Sequence, residues 1–383
     1  MDGRNLIYFN NAATTWPKPP EVTAIVQKVL GEPIFEHGRT TSQDALDYVE
    51  AAREEVARFL SISDANHVIF TANATDSLNM LIHGWAKQHP AHFHAITTDL
   101  DHNSVLRPLR TLERDGRCTV GVVPSKDARV TADQIFSEIT DETKLVVMGH
   151  GSNVLGSVQD IGAIGRELHK RGIFFIVDGA QTAGQYPIDL SRTPVDAFAF
   201  TGHKYLFGLP GTGGFFIQNP DEIAPTKQGG TGVDSKALFP PEELPLRFEP
   251  GTPNYVGIAG LYAGIRYITR TGLDDIISRT TRMTRFLVSE LSSIDKITVF
   301  NPAPELPVVS FNIGGMDNED IGVILTRAYN IVARTGLHCA PLVHERYDGG
   351  RGSVRFSLSG FNTPDECRAA ADAIREIAES VGP

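Results

Sequence analysis

Short apolar runs alternate with amphipathic stretches from about Asn66 to Ile217. The stretches between the runs, such as Ser77–Lys87 and Gly162–Lys170, carry apolar residues at helical spacing. Apolar runs separated by helices form a mostly parallel sheet with helices on both faces. The runs are Val68–Phe70, Ala95–Thr97, Leu145–Met148, Ile173–Val177, Ala197–Phe200 and Gly214–Ile217. This alternation predicts an α/β fold for this part of the chain.

The pattern changes after about Val256, where long helical stretches are followed by strand-like runs. The helical stretches are Ile258–Thr269 and Leu273–Leu291, and the runs are Val308–Ile313, Ile331–Arg334 and Ser353–Ser357. A last helix is predicted from its first turn, with Thr363 as the N-cap, Pro364 as the first helical residue and Glu366 completing a capping box. The C-terminal part is therefore predicted to be a smaller α+β domain.

The length of 383 residues exceeds what one hydrophobic core usually covers, so two domains are expected. We expect residues 15–255 to form the large domain, and residues 1–14 and 256–383 to form the small domain. The segment Pro225–Pro253 between the two patterns is rich in Gly and Pro, and it is predicted to be an extended loop.

The composition argues against several classes of protein. A net charge of −11 is unsuited to binding nucleic acid by phosphate neutralisation. No window approaches the about 18 apolar residues of a membrane span, and the N-terminus lacks a signal-peptide pattern. The three cysteines, Cys118, Cys339 and Cys367, are too few and too scattered for a disulfide framework or a zinc site. These features predict a cytoplasmic protein without a bound metal.

Polar and ionisable residues follow five of the apolar runs. Ligands of open α/β sheets bind beyond the carboxyl ends of the strands, where such residues would meet. The segments in question are Thr71–Asp76, Asp99–Asn103, His150–Asn153, Asp178–Gln181 and Thr201–Lys204. Turn formation alone does not require this selection of Asp, His, Asn, Gln and Lys, so the sequence predicts a ligand site at this edge.

These residue types together suit pyridoxal 5'-phosphate (PLP). A lysine must form the Schiff base with the PLP aldehyde, and a carboxylate must pair with the pyridinium nitrogen, which suits Lys204 and Asp178. The ring of His102 can stack on the cofactor. The other candidates are Asn153 and Gln181 for the ring hydroxyl, and Ala74, Thr75, Thr201 and His203 for the phosphate. Taken singly, each residue has a plainer interpretation as a turn or surface residue, and only their joint placement favours a cofactor site.

Four segments carry a resemblance to a known family. The segments Tyr8–Thr15, Val177–Gln181, Thr201–Lys204 and Arg334–Pro341 resemble those of class V aminotransferases, in particular the branch of cysteine desulfurases and selenocysteine lyases. The resemblance runs from about Ile7 to Thr363. It implies a PLP enzyme of fold type I, with a mostly parallel seven-stranded sheet in the large domain, and a homodimer with its active sites near the interface.

The resemblance also implies roles for residues outside the five segments. It implies that Thr231 reaches the phosphate of the partner subunit and that Arg355 binds the substrate carboxylate, for which a guanidinium is a suitable bidentate partner. It places Asn11 near the same carboxylate. The chain departs from the family at Asn10, where Asp is usual, and at Arg39, where His is usual.

Cys339 decides which reaction the resemblance implies, since Cys118 and Cys367 lie in strand and helix patterns of apolar residues and are predicted to be structural. The adjacent His338 could favour the Cys339 thiolate, and His102 could shuttle the proton of a substrate thiol. A desulfurase needs a nucleophilic thiolate that takes sulfur from L-cysteine as a persulfide, releases L-alanine and passes the sulfur to an acceptor protein or small thiol. With an inert Cys339, the same PLP site could serve a selenocysteine lyase, a cysteine or cystine β-lyase, or an amino-acid epimerase. A binding protein without turnover and a Rossmann-type dehydrogenase are weaker alternatives, since the catalytic set is intact and the glycine fingerprint is missing.

Overall fold

The computed structural model describes residues 6–33, 46–233 and 236–381. Arg39, one of the two departures noted above, lies outside these ranges. The first half contains β1 (Ile7–Tyr8), α1 (Pro20–Gly31), α2 (Tyr48–Phe59), β2 (Val68–Thr71), α3 (Ala74–Gln88), β3 (Phe93–Thr98), α4 (Asn103–Arg114), β4 (Cys118–Val123), α5 (Ala132–Ser137), β5 (Thr143–Gly149), α6 (Ile161–Lys170) and β6 (Phe174–Asp178).

The second half begins with the last two strands of the large sheet and continues through the C-terminal elements. These are β7 (Ala197–Thr201), β8 (Gly213–Ile217), α7 (Tyr255–Thr271), α8 (Leu273–Ser292), β9 (Ile297–Val299), β10 (Val308–Ile313), α9 (Asn318–Tyr329), β11 (Ile331–Val332), β12 (Arg334–Gly336), α10 (Pro341–Asp348), β13 (Ser353–Ser357) and α11 (Pro364–Ser380). Within the described residues, the segment 225–253 contains no helix or strand, as the sequence predicted.

Among these elements, seven strands form one sheet in the order β2-β8-β7-β6-β5-β3-β4. The strands β7, β6, β5, β3 and β4 pair in parallel, and β8 runs antiparallel to both of its neighbours. The mostly parallel seven-stranded sheet is therefore confirmed. Because β2 runs in the same direction as the parallel strands, it ends at the same edge of the sheet as they do.

Both faces of this sheet are buried, and β5 shows how one strand serves two cores. Leu145 and Val147 pack in the cluster that contains α3 and α4, whereas Val146 and Met148 pack in the cluster that contains α2, α6 and α7. Successive side chains of a strand point to opposite faces, so a strand buried on both faces has a continuous apolar sequence. This explains why the runs did not alternate with polar residues.

The C-terminal elements form a second, four-stranded antiparallel sheet in the order β12-β13-β10-β9. Its core includes Leu287, Phe311, Phe356 and Ile374. The predicted run Ile331–Arg334 is in fact two strands, because β11 pairs in parallel with β1 while β12 joins the four-stranded sheet. The capping box of α11 is confirmed, with Thr363 as the N-cap.

We propose that residues 15–255 form the large domain and that residues 1–14 and 256–383 form the small domain. The boundary falls at the start of α7, although Leu261 and Ile265 of this helix pack in the cluster of the large sheet. No helix within residues 6–33, 46–233 and 236–381 is long and apolar enough to cross a membrane.

Candidate active site

A cavity of about 260 Å³ lies at the carboxyl ends of β2, β3, β5, β6 and β7. All five segments that follow these strands contribute to its lining, as the sequence predicted. Nine predicted cofactor residues line it: Ala74, Thr75, His102, Asn153, Asp178, Gln181, Thr201, His203 and Lys204. The tenth, Thr231, which the resemblance assigns to the phosphate of the partner subunit, lies along a neighbouring groove with Lys227 and Asn254.

Asp178 and Lys204 are the charged groups at the base of this cavity. Burial raises the pKa of the Asp178 carboxyl, although the N–H of Ala180, which donates to Oδ1 at 2.9 Å, and the nearby Lys204 oppose this rise. Burial lowers the pKa of Lys204 to about 8, and the Asp178 carboxylate limits the fall. A lysine whose pKa lies near neutrality is suited to act as a nucleophile and as a base.

The ring of His102 is held by the start of α4. Its Nδ1 accepts a hydrogen bond from the N–H of Ser104 at 3.0 Å and lies 2.8 Å from the Ser104 hydroxyl. Burial, with the positive charge of Lys204, lowers the pKa of His102 to about 3. His102 is therefore neutral and carries its hydrogen on Nε2. For Nε2 to accept a proton from a substrate thiol, that hydrogen would first have to move to Nδ1, and this would break the hydrogen bond from the Ser104 N–H.

The first turn of α3 also lines the cavity, through Ala74 and Thr75. Asn73 is the N-cap of this helix and accepts a hydrogen bond from the N–H of Asp76 at 2.9 Å. The next hydroxyl along the chain, that of Thr75, lies 2.7 Å from the Ser104 hydroxyl. Backbone N–H groups at a helix N-terminus, together with hydroxyls, are suited to binding a phosphate.

Several buried polar atoms near the cavity lack a partner among the described residues. They are Oε1 of Gln181, Oγ1 of Thr201, Nδ1 of His203 and Nε of Arg355. Buried polar groups are almost always hydrogen-bonded, so a cluster of unpartnered ones marks a ligand site. The amine, the carboxylate, the helix N-terminus and these atoms together fit PLP, whose aldehyde, pyridine nitrogen, phosphate and ring hydroxyl need such groups.

The predicted substrate residues Arg355 and Asn11 differ in what they can still bind. Arg355, on β13, is fully buried and donates to the carbonyl of Asn153 at 2.9 Å and to Oδ1 of Asn10 at 3.3 Å. Burial, with the charge of nearby Arg334, lowers the pKa of Arg355 to about 9. The Asn11 amide is already engaged, since its Nδ2 donates to backbone carbonyls and its Oδ1 accepts from a backbone N–H.

Cys339 lies in a short loop between β12 and α10, and its side chain is exposed. Both His338 and Cys339 have left-handed backbone angles, with φ of 50° and 59°. The conformation is held by two contacts with the cavity: Nδ2 of Asn153 donates to the His338 carbonyl at 2.8 Å, and the N–H of Asn103 donates to the Cys339 carbonyl at 2.8 Å. The backbone of the loop that carries the thiol is thereby held beside the segment that carries His102.

Arg334 is the cation beside the thiol, with Nη2 at 3.5 Å from Sγ of Cys339. The sequence suggested that the adjacent His338 could favour the thiolate. The His338 ring is instead buried, its Nε2 lies within hydrogen-bond distance of Ser353, and burial lowers its pKa to about 2, so it supplies no positive charge. A guanidinium beside a sulfur stabilises negative charge there.

Cys118 and Cys367 are both buried, as the sequence predicted. Burial raises the pKa of the Cys118 thiol to about 11 and that of the Cys367 thiol to about 12. Both remain protonated near neutral pH and are poor nucleophiles.

Three residues at the site were not singled out from the sequence. Ser104 orients His102. Its position in the first turn of α4, two residues after His102, could have indicated this contact from the sequence. Arg334 was part of a recognised segment, but its contact with the thiol depends on the fold of the loop. Lys18 donates to the His203 carbonyl at 2.8 Å, and burial lowers its pKa to about 7, a contact that no local pattern indicated.

Comparisons with known proteins agree with this geometry. The profile of the family described as aminotransferase class-V matches residues 7–369. A probable cysteine desulfurase from Methanothermobacter thermautotrophicus is 32% identical, over 98% of this chain and 95% of the relative. A cysteine desulfurase from Salmonella typhimurium is 29% identical, over 100% of this chain and 96% of the relative.

Solved structures show the same likeness. The structure of a cysteine desulfurase from Thermococcus onnurineus matches with a TM-score of 0.91 at 29% identity, over 98% of this chain and 95% of that one. A cysteine desulfurase from Escherichia coli matches with a TM-score of 0.90 at 25% identity, over 98% and 96%. The α/β architecture is thus that of fold type I. By sequence profile, by full-length relatives and by structure, this chain belongs to the class V aminotransferase family.

Proposed function

We propose that the protein is a PLP-dependent cysteine desulfurase that converts L-cysteine to L-alanine and takes the sulfur onto Cys339 as a persulfide. The observation that carries this proposal is the position of Cys339, an exposed thiol beside Arg334 in a loop bonded to the cavity lining. Relatives and structural neighbours named cysteine desulfurases support it over the full length of the chain.

Class V aminotransferases are PLP enzymes, and the cavity offers each group that this cofactor needs. When bound, PLP withdraws electrons from the substrate Cα and so stabilises negative charge there. Lys204 would form the Schiff base, Asp178 would pair with the pyridine nitrogen, and His102 would lie against the ring. The remaining contacts are proposed for Asn153 and Gln181 with the ring hydroxyl, and for Ala74, Thr75, Thr201 and His203 with the phosphate.

The substrate carboxylate binds to Arg355, whose unpartnered Nε and buried charge suit an anion. Lys204 removes the Cα proton and later returns one, which its pKa of about 8 allows near neutral pH. Asn11 supports this region indirectly, since its amide holds the N-terminal segment against the Ser357 carbonyl.

Sulfur transfer is a displacement at the substrate sulfur. The Cys339 thiolate attacks that sulfur, a sulfur–sulfur bond forms, and the bond between Cβ and sulfur breaks with its electron pair left on carbon. That carbon takes a proton and becomes the methyl group of alanine. The substrate sulfur ends as the outer atom of the Cys339 persulfide, so no external oxidant or reductant is needed. Arg334 stabilises the thiolate before attack.

We also propose that the enzyme is a homodimer and that it passes sulfur to an acceptor protein or a small thiol. Leu238 and Phe239 are 96% and 85% exposed, which is unusual for large apolar side chains and supports a contact with a second subunit. Thr231, in the same loop region, would reach the phosphate of the partner subunit. Sedimentation of the PLP-loaded protein would show a dimer, and a monomer across micromolar concentrations would reject this part of the proposal.

The decisive experiment measures alanine formed from L-cysteine by the PLP-loaded wild type, by Cys339→Ala and by Cys118→Ala. We expect alanine from the wild type and from Cys118→Ala, almost none from Cys339→Ala, and an added mass of one sulfur atom on the peptide that contains Cys339. Cys118→Ala is the matched control, because it removes a buried thiol far from the cavity.

Two outcomes would reject the desulfurase. Pyruvate in place of alanine would indicate a cysteine or cystine β-lyase. Equal activity in Cys339→Ala would indicate a reaction that does not need the thiol, and a comparison of L-cysteine, L-selenocysteine and racemisation would then separate a selenocysteine lyase from an epimerase.

A further inference from the structure

Arg355 is a fully buried guanidinium that contacts only neutral acceptors. Its Nη1 donates to the carbonyl of Asn153 and its Nη2 to Oδ1 of Asn10, at 2.9 and 3.3 Å. Its Nε has no partner among the described residues, and no carboxylate in those residues forms an ion pair with it. Arg53, the other large buried arginine, differs in this respect, since Glu249 binds it through both carboxylate oxygens.

The charges around Arg355 do not compensate it. The cation of Arg334 acts with burial to lower the pKa of Arg355, and the weaker opposing influences come from Tyr205, Cys339 and Tyr8, none of which is a carboxylate. A buried cation without a counter-ion destabilises the folded protein, so such a group is retained where an anionic ligand supplies the missing charge. The guanidinium is therefore stabilised fully only when an anion is bound.

We propose that Asn10 is a positioning residue that raises the affinity of the site for the substrate carboxylate, because its neutral amide orients Arg355 and leaves the charge of the guanidinium available. This inference rests on the proposed function, in which Arg355 binds that carboxylate. The side chain at position 10 could otherwise neutralise the guanidinium. An aspartate, which the resemblance gives as usual at this position, has the same shape as asparagine and would place a carboxylate oxygen where Oδ1 now lies. It would pair with the guanidinium and so weaken, without abolishing, the binding of the substrate carboxylate.

The backbone at Asn10 is fixed independently of this contact. Its carbonyl accepts hydrogen bonds from the N–H groups of Ala13 and Thr14, and the residue forms a parallel bridge with Ser357 of β13. A change from amide to carboxylate should therefore leave the position of the side chain unchanged and alter only its charge.

The test compares the PLP-loaded wild type with Asn10→Asp, Asn10→Ser and the control Asn219→Asp. The control adds the same charge at an exposed N-cap beyond the end of β8, which is the edge of the sheet opposite the cavity. Three quantities are measured: kcat and KM for L-cysteine, the dissociation constant of L-alanine, and the melting temperature without amino acid. L-alanine carries the carboxylate but no sulfur, so its binding does not depend on desulfuration.

Asn10→Asp should raise KM and the L-alanine dissociation constant by about tenfold, with kcat changed less than about twofold, and raise the melting temperature by about 2–4 °C relative to Asn219→Asp. Asn10→Ser should stay within about threefold of the wild type in both constants, because it adds no charge. Weaker binding together with higher stability is not expected from a structural role alone.

The proposal is overturned if Asn10→Asp binds L-alanine as tightly as the wild type, or melts no higher than Asn219→Asp. It is also overturned if Asn10→Ser weakens binding as much as Asn10→Asp. These outcomes can be separated from a failure of the desulfurase proposal, which would show as a wild type that forms no alanine, since L-alanine binding and melting are measured without turnover.

Discussion

Replacement of Lys204 by Met should stabilise the cofactor-free protein near neutral pH. Burial lowers the pKa of Lys204 from its ordinary value of 10.5 to about 8, so the folded state disfavours the ammonium form. Each pKa unit corresponds to about 1.4 kcal/mol. Below pH 8 the charged lysine therefore reduces the free energy of unfolding by up to about 3 kcal/mol, and Met removes this cost while filling a similar volume.

The pH dependence follows from proton linkage. Between pH 8 and 10.5 the unfolded chain keeps a proton on Lys204 that the folded protein has released, so the stability of the wild type rises with pH across this window. The advantage of Lys204→Met should be largest below pH 8 and shrink towards pH 10.5. Urea unfolding at a fixed protein concentration, from pH 7 to 10.5, measures it directly.

The difference between wild type and variant isolates Lys204 from the other groups that titrate in this range. Lys126→Met, at an exposed position, is the control and should show a difference near zero at every pH. Two results would contradict this reasoning: Lys204→Met less stable than the wild type at pH 7, or an advantage that does not change with pH. Either would show that burial does not disfavour the ammonium form of Lys204.

Three further predictions concern single contacts. In Asn153→Ala, the loss of one hydrogen bond to the His338 carbonyl should speed amide exchange in the cysteine loop by about two- to tenfold in the cofactor-free protein, and unchanged protection would contradict this. Arg53→Met should lower the free energy of unfolding by about 3–5 kcal/mol because it leaves the Glu249 carboxylate without its cation, and a second change, Glu249→Leu, should restore most of this in urea unfolding. His102 should stay neutral in nitrogen-15 NMR spectra down to about pH 4, with its hydrogen on Nε2, and an ordinary imidazole titration would refute the contact with Ser104.

Much of the fold and of the cavity could be predicted from the sequence. The continuous apolar run Leu145–Met148 predicted a strand buried on both faces, which β5 is. Polar residues directly after the strands predicted a site, because parallel strands in one sheet end at the same edge. The positions of Lys204 and Asp178 follow from this rule alone, and both line the cavity. Local signals were also sufficient for the capping box of Thr363.

Contacts between distant segments could not be predicted in this way. The amide of Asn11 holds the N-terminal segment to the Ser357 carbonyl, a contact that no local pattern indicated, and its place near the substrate carboxylate stays a prediction of the resemblance. Within one chain Thr231 lies along a neighbouring groove, and its expected reach to the phosphate of the partner subunit stays a prediction of the resemblance. The sequence suggested His338 as the partner of the thiol, a position that Arg334 occupies.

The sequence by itself determined which residues end the strands, which segments are helices and where the reactive thiol lies along the chain. These features depend on periodicity and on neighbouring residues, which a linear sequence contains. Only the tertiary structure decided that Asn153 holds the cysteine loop and that Asn10 contacts Arg355. The two pairs join residues that are 185 and 345 positions apart, so their geometry depends on the whole fold.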